Sequence, residues 1–355
     1  MSTSTSARVV GAHLVGSVPL ADADEVFRVS SDVLADRLER IPDGETGDRH
    51  EWIHFQMPII AQTPGIAEIE YRMPDDVELP PGAPRTRIAY GLADGTDPAS
   101  LAFGNLRYAD EATASYARFR ALKDEGVIPP HMRFQVSLPT SLAVMAWIVP
   151  DDRAAIEPVY RAALLREVAR MVEAIPHDQL AIQFDLCIEV FMVEGYPMVE
   201  PWFDDVWGGV LDRVEAHAQA VPDDVQLGFH FCYGDYKGER QVEATDAGNL
   251  VRLANELTTR LAHPIGFIQM PVPRESDVAA WAPPLADLRL DDETHLYLGI
   301  VHPVGGLEEA QELVELCGRY AERFGVATEC GIGRQPPEAV RPLLEIHRQV
   351  AAAIA

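Results

Sequence analysis

The stretch Gln226-Leu-Gly-Phe-His-Phe-Cys-Tyr-Gly-Asp235 joins a short apolar segment to polar side chains of the kind that bind metals. Residues 226–232 have the length and composition of a buried β-strand. Alternate side chains of a strand point to the same face, so His230 and Cys232 are predicted to lie side by side. An imidazole next to a thiol is half of a zinc site.

Seven further segments have the same apolar character, and longer helical patterns such as 153–175 separate them. This alternation is typical of βα units around a parallel sheet, and eight strands predict an α/β fold, a single closed (β/α)8 TIM barrel over residues 1–355. The predicted strands are 9–16, 40–45, 133–138, 180–187, 226–232, 265–270, 295–302 and 325–330.

Residues 60–130 do not follow this alternation. They contain a proline- and glycine-rich section, 79–84, between two short predicted strands at 67–72 and 86–90. We interpret residues 60–130 as an insertion after strand two. Because βα loops lie at the C-terminal face of a barrel, where active sites are built, the insertion is expected to form a lid or wall of the site.

Charge and composition limit the classes of partner. The formal net charge of -27 repels phosphate backbones and anionic lipid, so we expect small-molecule ligands and neither nucleic acid nor membrane. No apolar run reaches the length of a membrane span and no signal-peptide pattern is seen, so a cytoplasmic location is expected. Four cysteines in so long a chain argue against a disulfide framework and leave room for metal binding.

Polar side chains fall at the C-terminal ends of the predicted strands, and these ends face one shared pocket in a barrel. Cys232, Cys330 and His230 offer two thiolates and one imidazole, which are the three protein ligands that a catalytic zinc site needs. Any one of them alone would be interpreted as a core residue, but together they favour a metal centre. The other polar residues at strand ends are Ser17, Asp43, Glu45, Asp185, Gln269 and His302.

Five short motifs occur along the chain, and they are Gly16-Ser-Val-Pro19, Asp43-Gly-Glu45, Gln183-Phe-Asp185, His230-Phe-Cys-Tyr233 and Cys330-Gly-Ile-Gly333. In this order they resemble motifs of the C-terminal catalytic barrel of cobalamin-independent methionine synthase and its single-barrel relatives. The resemblance spans almost the whole chain and implies a zinc-dependent barrel enzyme. In the third segment it departs from the family pattern, because Leu186-Cys187 stands where the family has Glu-Pro.

The resemblance implies that zinc is bound by His230, Cys232 and Cys330, with a glutamate on strand six as the fourth ligand. Gln269 stands at the position of that glutamate. A carboxamide is a weaker zinc ligand than a carboxylate and removes one negative charge from the metal shell. Gln269 is therefore the expected fourth ligand, with water or Glu275 from the following loop as the alternatives.

The resemblance also implies the substrate-binding residues. Glu45 and Asp185 would hold the ammonium group of an amino-acid thiol, and the turn at Ser17 would hold its carboxylate. His302 resembles the family histidine that supplies a proton to the leaving group. Without the resemblance, Glu45 and Asp185 are explained equally well as a structural pair, and His302 as a packed histidine.

We therefore expect a zinc-dependent methyltransferase or alkyltransferase that acts on a small-molecule thiol. The separate N-terminal barrel of the full-length synthase has no counterpart here, so a corrinoid-carried methyl group, a small epoxide or another activated alkyl compound are alternatives to a folate donor. A zinc-dependent lyase or hydrolase with His302 or Glu45 as base is a second hypothesis. A non-catalytic metal- or ligand-binding barrel is a third.

Overall fold

The structure is a computed structural model that describes residues 8–77, 79, 82–197, 199–236, 239–274 and 278–354. Within these ranges the strands are β1 (Arg8–His13), β2 (Arg40–Pro42), β3 (Ile66–Arg72), β4 (Thr86–Leu92), β5 (Arg133–Pro139), β6 (Leu180–Leu186), β7 (Gln226–Phe231), β8 (Asp235–Tyr236), β9 (Glu239–Arg240), β10 (Ile265–Pro271), β11 (His295–Gly299) and β12 (Arg323–Ala327). The α-helices are α1 (Ala23–Leu34), α2 (Met57–Ala61), α3 (Tyr108–Asp124), α4 (Ser141–Met145), α5 (Arg153–Ala174), α6 (Ile188–Val193), α7 (Val206–Ala218), α8 (Gly248–Arg260), α9 (Val278–Trp281), α10 (Gly306–Cys317) and α11 (Val340–Val350).

Eight of these strands form one parallel sheet in the order β1-β12-β11-β10-β7-β6-β5-β2. The two end strands of this series also meet. The backbone N–H of Ala12 in β1 donates to the Arg37 carbonyl at 2.8 Å, and Ala12 forms a parallel bridge with Leu38, just before β2. The sheet therefore curls round on itself in the manner of a (β/α)8 barrel, and the predicted α/β class with eight strands is confirmed.

The eight strands are buried on both faces, which is why their sequences read as nearly continuous apolar runs. All seven residues of β6 are buried, for example. The helix predicted at 153–175 is α5, which buries residues at helical spacing in the hydrophobic core. They include Ile156, Tyr160, Ala163, Leu164, Val168 and Met171.

Several predicted strands were too long at their C-terminal ends. The second was expected to continue to residue 45, but β2 ends at Pro42. Gly44 and Glu45 have φ angles of 81° and 49°, which lie in the left-handed region and turn the chain out of the sheet. Glu45 therefore lies in a loop above the strand, where its side chain can face a pocket.

Polar residues occupy the barrel interior between β1 and β6. The Nε2 atom of His13 lies 2.8 Å from Oε1 of Gln183, and Nε2 of Gln183 donates to the Val15 carbonyl at 2.7 Å. The same amide nitrogen donates to Oδ1 of Asp185 at 2.8 Å. Gln183 thus connects the end of β1 to the carboxylate of Asp185.

An antiparallel hairpin lies between β2 and β5 in sequence. β3 and β4 pair along their whole length, from Ile66 opposite Leu92 to Arg72 opposite Thr86. The hairpin contacts the barrel through a bridge between Tyr90 and residue 148, which follows α4. Strands at the two predicted positions are therefore present, while the boundaries 60–130 of an insertion stay a prediction.

None of the helices in the described ranges combines the length and the apolar character needed to cross a membrane.

Candidate metal centre

A cavity of about 400 Å³ lies at the C-terminal ends of the barrel strands. Its walls are formed by loops that follow several strands, so residues far apart in sequence meet there. Two predicted site residues, Gln269 and His302, do not line it, although both are buried. The predicted site residues that do line it are Ser17, Glu45, Asp185, His230, Cys232 and Cys330.

Three metal-binding side chains converge on this cavity. The ligand atoms of His230, Cys232 and Cys330 all lie within 4.8 Å of one another, and the two sulfur atoms are 3.6 Å apart. With zinc–sulfur bonds of about 2.3 Å, two thiolates on one tetrahedral zinc are about 3.8 Å apart. No other trio of this kind occurs among the residues that the structure describes. The donor set and its spacing therefore fit zinc.

The thiols of this trio are held in their protonated form when no cation is present. A hydrogen bond with the Cys187 thiol, together with burial, raises the pKa of Cys232 well above its usual value. The contact with Cys232, together with burial, does the same to the pKa of Cys330. A metal ion would therefore have to displace protons from both sulfur atoms in order to bind.

Cys187 is a third thiol at the site, and the sequence analysis assigned no role to it. It follows Leu186, which is in register with Phe231, so it lies beside Cys232 across two neighbouring strands. It is buried and it lines the cavity. One feature of the sequence could have indicated this position. Cys187 lies two residues after Asp185, and residues two apart on a strand point to the same face.

Gln269 lies on β10 in register with His230. Its Oε1 accepts a hydrogen bond from Nδ1 of His230, and its Nε2 donates to the carbonyl of Thr328 at 3.0 Å. The carboxamide is thus engaged at both ends inside the barrel wall. Glu275, the alternative ligand, lies outside the described residues.

Glu45 is held in its loop by the neighbouring Asp43. The backbone N–H of Glu45 donates to Oδ1 of Asp43 at 3.0 Å, and Oδ2 of Asp43 accepts from Arg49 and Ser115, both at 2.7 Å. Although burial acts in the opposite direction, Arg49 holds the pKa of Asp43 below its usual value. Asp43 is therefore an ionised anchor of the loop that carries Glu45.

Glu45 and Asp185 form a pair of buried carboxyl groups on the cavity wall. Burial raises the pKa of both groups, and the charge of Asp185 raises the pKa of Glu45 further. Two carboxylates in such surroundings cannot both ionise easily, so the pair holds a proton near neutral pH. A cationic ligand group between them would relieve this repulsion, which makes the pair suited to an ammonium group.

The hairpin contributes an apolar part of the cavity wall. Met73 and Arg87 line the cavity together with Trp147, which follows α4. The Arg87 guanidinium lies 4.9 Å from the centre of the Trp147 ring and donates to the carbonyl of Ala146 at 2.7 Å. The sequence interpretation did not include these residues, because nothing local to them indicated that they share a pocket with the thiols.

The loop after β12 is fastened to the loop after β1. The N–H of Ile332 donates to the Ser17 carbonyl at 2.9 Å, and the N–H of Gly333 donates to the Ser17 hydroxyl at 3.3 Å. Gly331, which lies between Cys330 and Ile332 in sequence, also approaches Ser17 closely. A Cβ atom on Gly331 would be 2.3 Å from Oγ of Ser17. This close approach sets the position of Cys330 relative to the rest of the site.

We expect Gly331→Ala to destabilise the protein by about 1–3 kcal/mol, because the added methyl group would overlap Oγ of Ser17 and lie 3.1 Å from its backbone nitrogen, so that the Ser17 side chain or the loop that carries Cys330 must shift. The same displacement of Cys330 should weaken zinc binding. Thermal unfolding and zinc titration against a chelator measure the two effects. Gly104→Ala is the matched control, since a Cβ there has no neighbour within 4 Å. Equal behaviour of the two variants would contradict the expectation.

His302 lies away from the cavity wall, next to the carboxyl group of Glu329. Its Nδ1 is 4.0 Å from Oε2 of Glu329, and burial lowers the pKa of His302 to about 4. The imidazole is therefore neutral at physiological pH. The structure does not bring His302 together with the residues that line the cavity.

Comparison with solved structures finds two similar chains among those that match. The structure of a B12-independent methionine synthase from Shewanella sp. in complex with selenomethionine has a TM-score of 0.62 and 12% sequence identity, over 98% of this chain and 95% of that chain. A putative vitamin-B12-independent methionine synthase from Listeria monocytogenes has a TM-score of 0.49 and 13% identity, over 97% of this chain and 99% of that chain. No protein-family model matches the sequence, and no curated protein matches it. At 12% identity, the likeness to the Shewanella protein is one of fold.

Proposed function

We propose that the chain is a zinc-dependent transferase that moves a methyl or other alkyl group to or from a small-molecule thiol. The convergence of His230, Cys232 and Cys330 within 4.8 Å, on the wall of a cavity that also contains Glu45 and Asp185, supports this proposal most directly. The Shewanella protein of the same fold was solved with selenomethionine. Selenomethionine is an alkylated amino acid with an ammonium group, so it is a ligand of the class that this cavity suits.

The residues of the chain would divide the work between the two ends of the substrate. His230, Cys232 and Cys330 would hold zinc, which when bound would supply the positive charge that keeps a substrate thiol in its reactive thiolate form. The pair Glu45 and Asp185 would bind the substrate ammonium group. Together these contacts would hold the thiol and the ammonium group at a set separation.

Three further roles belong to the same proposal. The turn at Ser17 would bind the substrate carboxylate. His302 would supply a proton to the leaving group only after a rearrangement that brings it to the cavity, because it does not line the cavity. The apolar wall that includes Met73 and Trp147 would face the alkyl donor, which could be a corrinoid, an epoxide or another activated compound. The whole chain would act as one catalytic barrel with an insertion after its second strand.

A zinc-dependent lyase or hydrolase is the second candidate, and the contacts of Gln269 favour it. Because Gln269 is occupied with His230 and Thr328, the site has three protein ligands, as in zinc enzymes that activate water. The two candidates differ in what joins the metal shell when a thiol is added.

Metal analysis and X-ray absorption spectroscopy test the proposal. We expect about one equivalent of zinc with one nitrogen and two sulfur ligands, and a third sulfur when L-homocysteine is added. L-Homoserine, which has oxygen in place of sulfur, is the matched control and should add no sulfur. A shell that stays unchanged with homocysteine would favour water activation. Protein that neither retains nor takes up zinc would overturn both candidates.

A further inference from the structure

We propose that Gln269 is not a metal ligand but a positioning residue, which fixes the ring of His230 and leaves the fourth coordination position open to the substrate. This inference rests on the metal centre of the proposed function. The Gln269 carboxamide forms hydrogen bonds at both of its ends, with His230 and with Thr328. Neither hydrogen bond involves a metal.

The orientation of the Gln269 amide is decided by its backbone neighbours. One end of the carboxamide lies 3.0 Å from the carbonyl oxygen of Thr328 and 3.4 Å from that of Glu329. Carbonyl oxygens only accept hydrogen bonds, so this end must be the NH2 group. The oxygen of the amide therefore faces Nδ1 of His230.

This orientation decides the tautomer of His230. Because Oε1 of Gln269 only accepts, Nδ1 of His230 must carry the hydrogen, and the lone pair of the neutral ring is on Nε2. The ring also interacts with the thiol of Cys330. Gln269 thus prepares the imidazole to present Nε2 to an ion that Cys232 and Cys330 share.

The surroundings of Gln269 keep it in this role. Its side chain is fully buried on β10 and does not line the cavity. A Cβ atom on Gly299 of the neighbouring strand would lie 3.0 Å from Nε2 of Gln269, which shows how closely the amide is packed. To become a ligand, the amide would have to leave Thr328, Glu329 and His230 at once.

The same contacts explain why an amide suits this position. A glutamate in the same conformation would direct a carboxylate oxygen at the carbonyl oxygens of Thr328 and Glu329, and this contact is repulsive unless the carboxyl group is protonated. The amide avoids this repulsion and serves both neighbours. The proposed centre then has three protein ligands and an open position that faces the cavity, which is where a substrate thiol would bind.

Two variants test the inference, Gln269→Met, which is close in volume, and Gln269→Leu. We expect either one to weaken zinc binding about 10–100-fold in chelator competition, because the ring of His230 loses its support. In the zinc-free protein, nitrogen NMR of labelled histidine should show His230 with hydrogen on Nδ1 in the wild type and a mixture of tautomers in the variants. Only a residue that contacts the ring would change this second measurement.

Gln135→Leu is the matched control. Gln135 is buried on β5 and donates to the carbonyl of Leu14 at 3.0 Å, but it contacts none of the proposed ligands. Its replacement should leave both the tautomer and the zinc affinity close to the wild type. Variants of Gln269 that bind zinc as the wild type does would overturn the inference. So would weakened zinc binding with an unchanged tautomer, which is the signature of a lost ligand.

Failure of the inference can be told apart from failure of the metal centre itself. If replacement of Cys232 or Cys330 leaves zinc binding intact, the proposed centre is wrong whatever Gln269 does. If those replacements abolish zinc binding while Gln269→Met changes nothing, the centre stands and the positioning role is wrong. The tautomer of His230 in the zinc-free wild type is a measurement that does not depend on zinc at all.

Discussion

Replacing Cys330 by serine is expected to weaken zinc binding at least about 100-fold, because a hydroxyl group does not ionise at neutral pH and is a much poorer ligand than a thiolate. Cys330 is only partly buried and lies in a loop after β12. The metal-free variant should therefore unfold at nearly the same temperature as the metal-free wild type. Chelator competition and thermal unfolding of the two zinc-free proteins measure both effects.

Cys317→Ser is the control for this experiment. Cys317 is fully buried in α10, and burial raises the pKa of its thiol to about 12, so it is a core residue with no part in the proposed centre. Its replacement should lower stability and leave zinc affinity unchanged, which is the opposite pattern. A Cys330→Ser protein that still holds zinc as tightly as the wild type would remove Cys330 from the ligand set.

Glu45→Gln is expected to stabilise the free protein at alkaline pH. Burial and the charge of Asp185 raise the pKa of Glu45 to about 8 in the folded state, above its value in the unfolded chain. The folded protein then binds more protons between the two values, so stability falls as pH rises from about 4.5 to about 8. Glutamine cannot ionise and removes this loss. At about 1.4 kcal/mol per pKa unit, the gain at pH 8.5 should be at most about 5 kcal/mol, and it should be near zero at pH 4.5, as measured by urea unfolding.

The same replacement should weaken binding of an ammonium-bearing thiol. Loss of a charge-assisted hydrogen bond of about 1.5–3 kcal/mol corresponds to about 10–100-fold in affinity for L-homocysteine. 4-Mercaptobutyrate, which lacks the amino group, should bind both proteins alike. Glu70→Gln, at an exposed position of the hairpin, is the control variant and should change neither quantity. A Glu45→Gln protein that binds homocysteine normally would contradict the assigned role, and one that is less stable at pH 8.5 would contradict the pKa shift.

The strands could be predicted because a strand that is buried on both faces consists mostly of apolar residues. The segments 180–187 and 226–232 are mostly apolar, and each contains a strand of the barrel. The strand ends were harder to predict. Glu45 was placed inside a strand, whereas its positive φ puts it in the loop that follows. Local composition does not show where a loop of this kind takes over from a strand.

The convergence of Cys232 and Cys330 could be anticipated, since strand ends in a barrel share one face. The contacts of each side chain could not. Gln269 faces His230 because its amide nitrogen is held by Thr328, which is 59 residues away in sequence. His302 likewise does not line the cavity, and its Nδ1 lies 4.0 Å from Oε2 of Glu329.

The alternation of strands and helices can be deduced from the sequence, as can the parallel barrel that it implies and the residue types at the strand ends. These features are local, because burial of a strand or of a helix face constrains only a few neighbouring residues. Three features became visible only in the folded protein. They are the set of strand-end side chains that line the cavity, the presence of Cys187 and Trp147 on the same wall, and the contact of Gln269 with His230. The direction of a side chain at a strand end depends on the backbone angles of the loop and on hydrogen-bond partners from distant segments. Because the neighbouring residues in sequence do not determine either of these, this direction cannot be predicted locally.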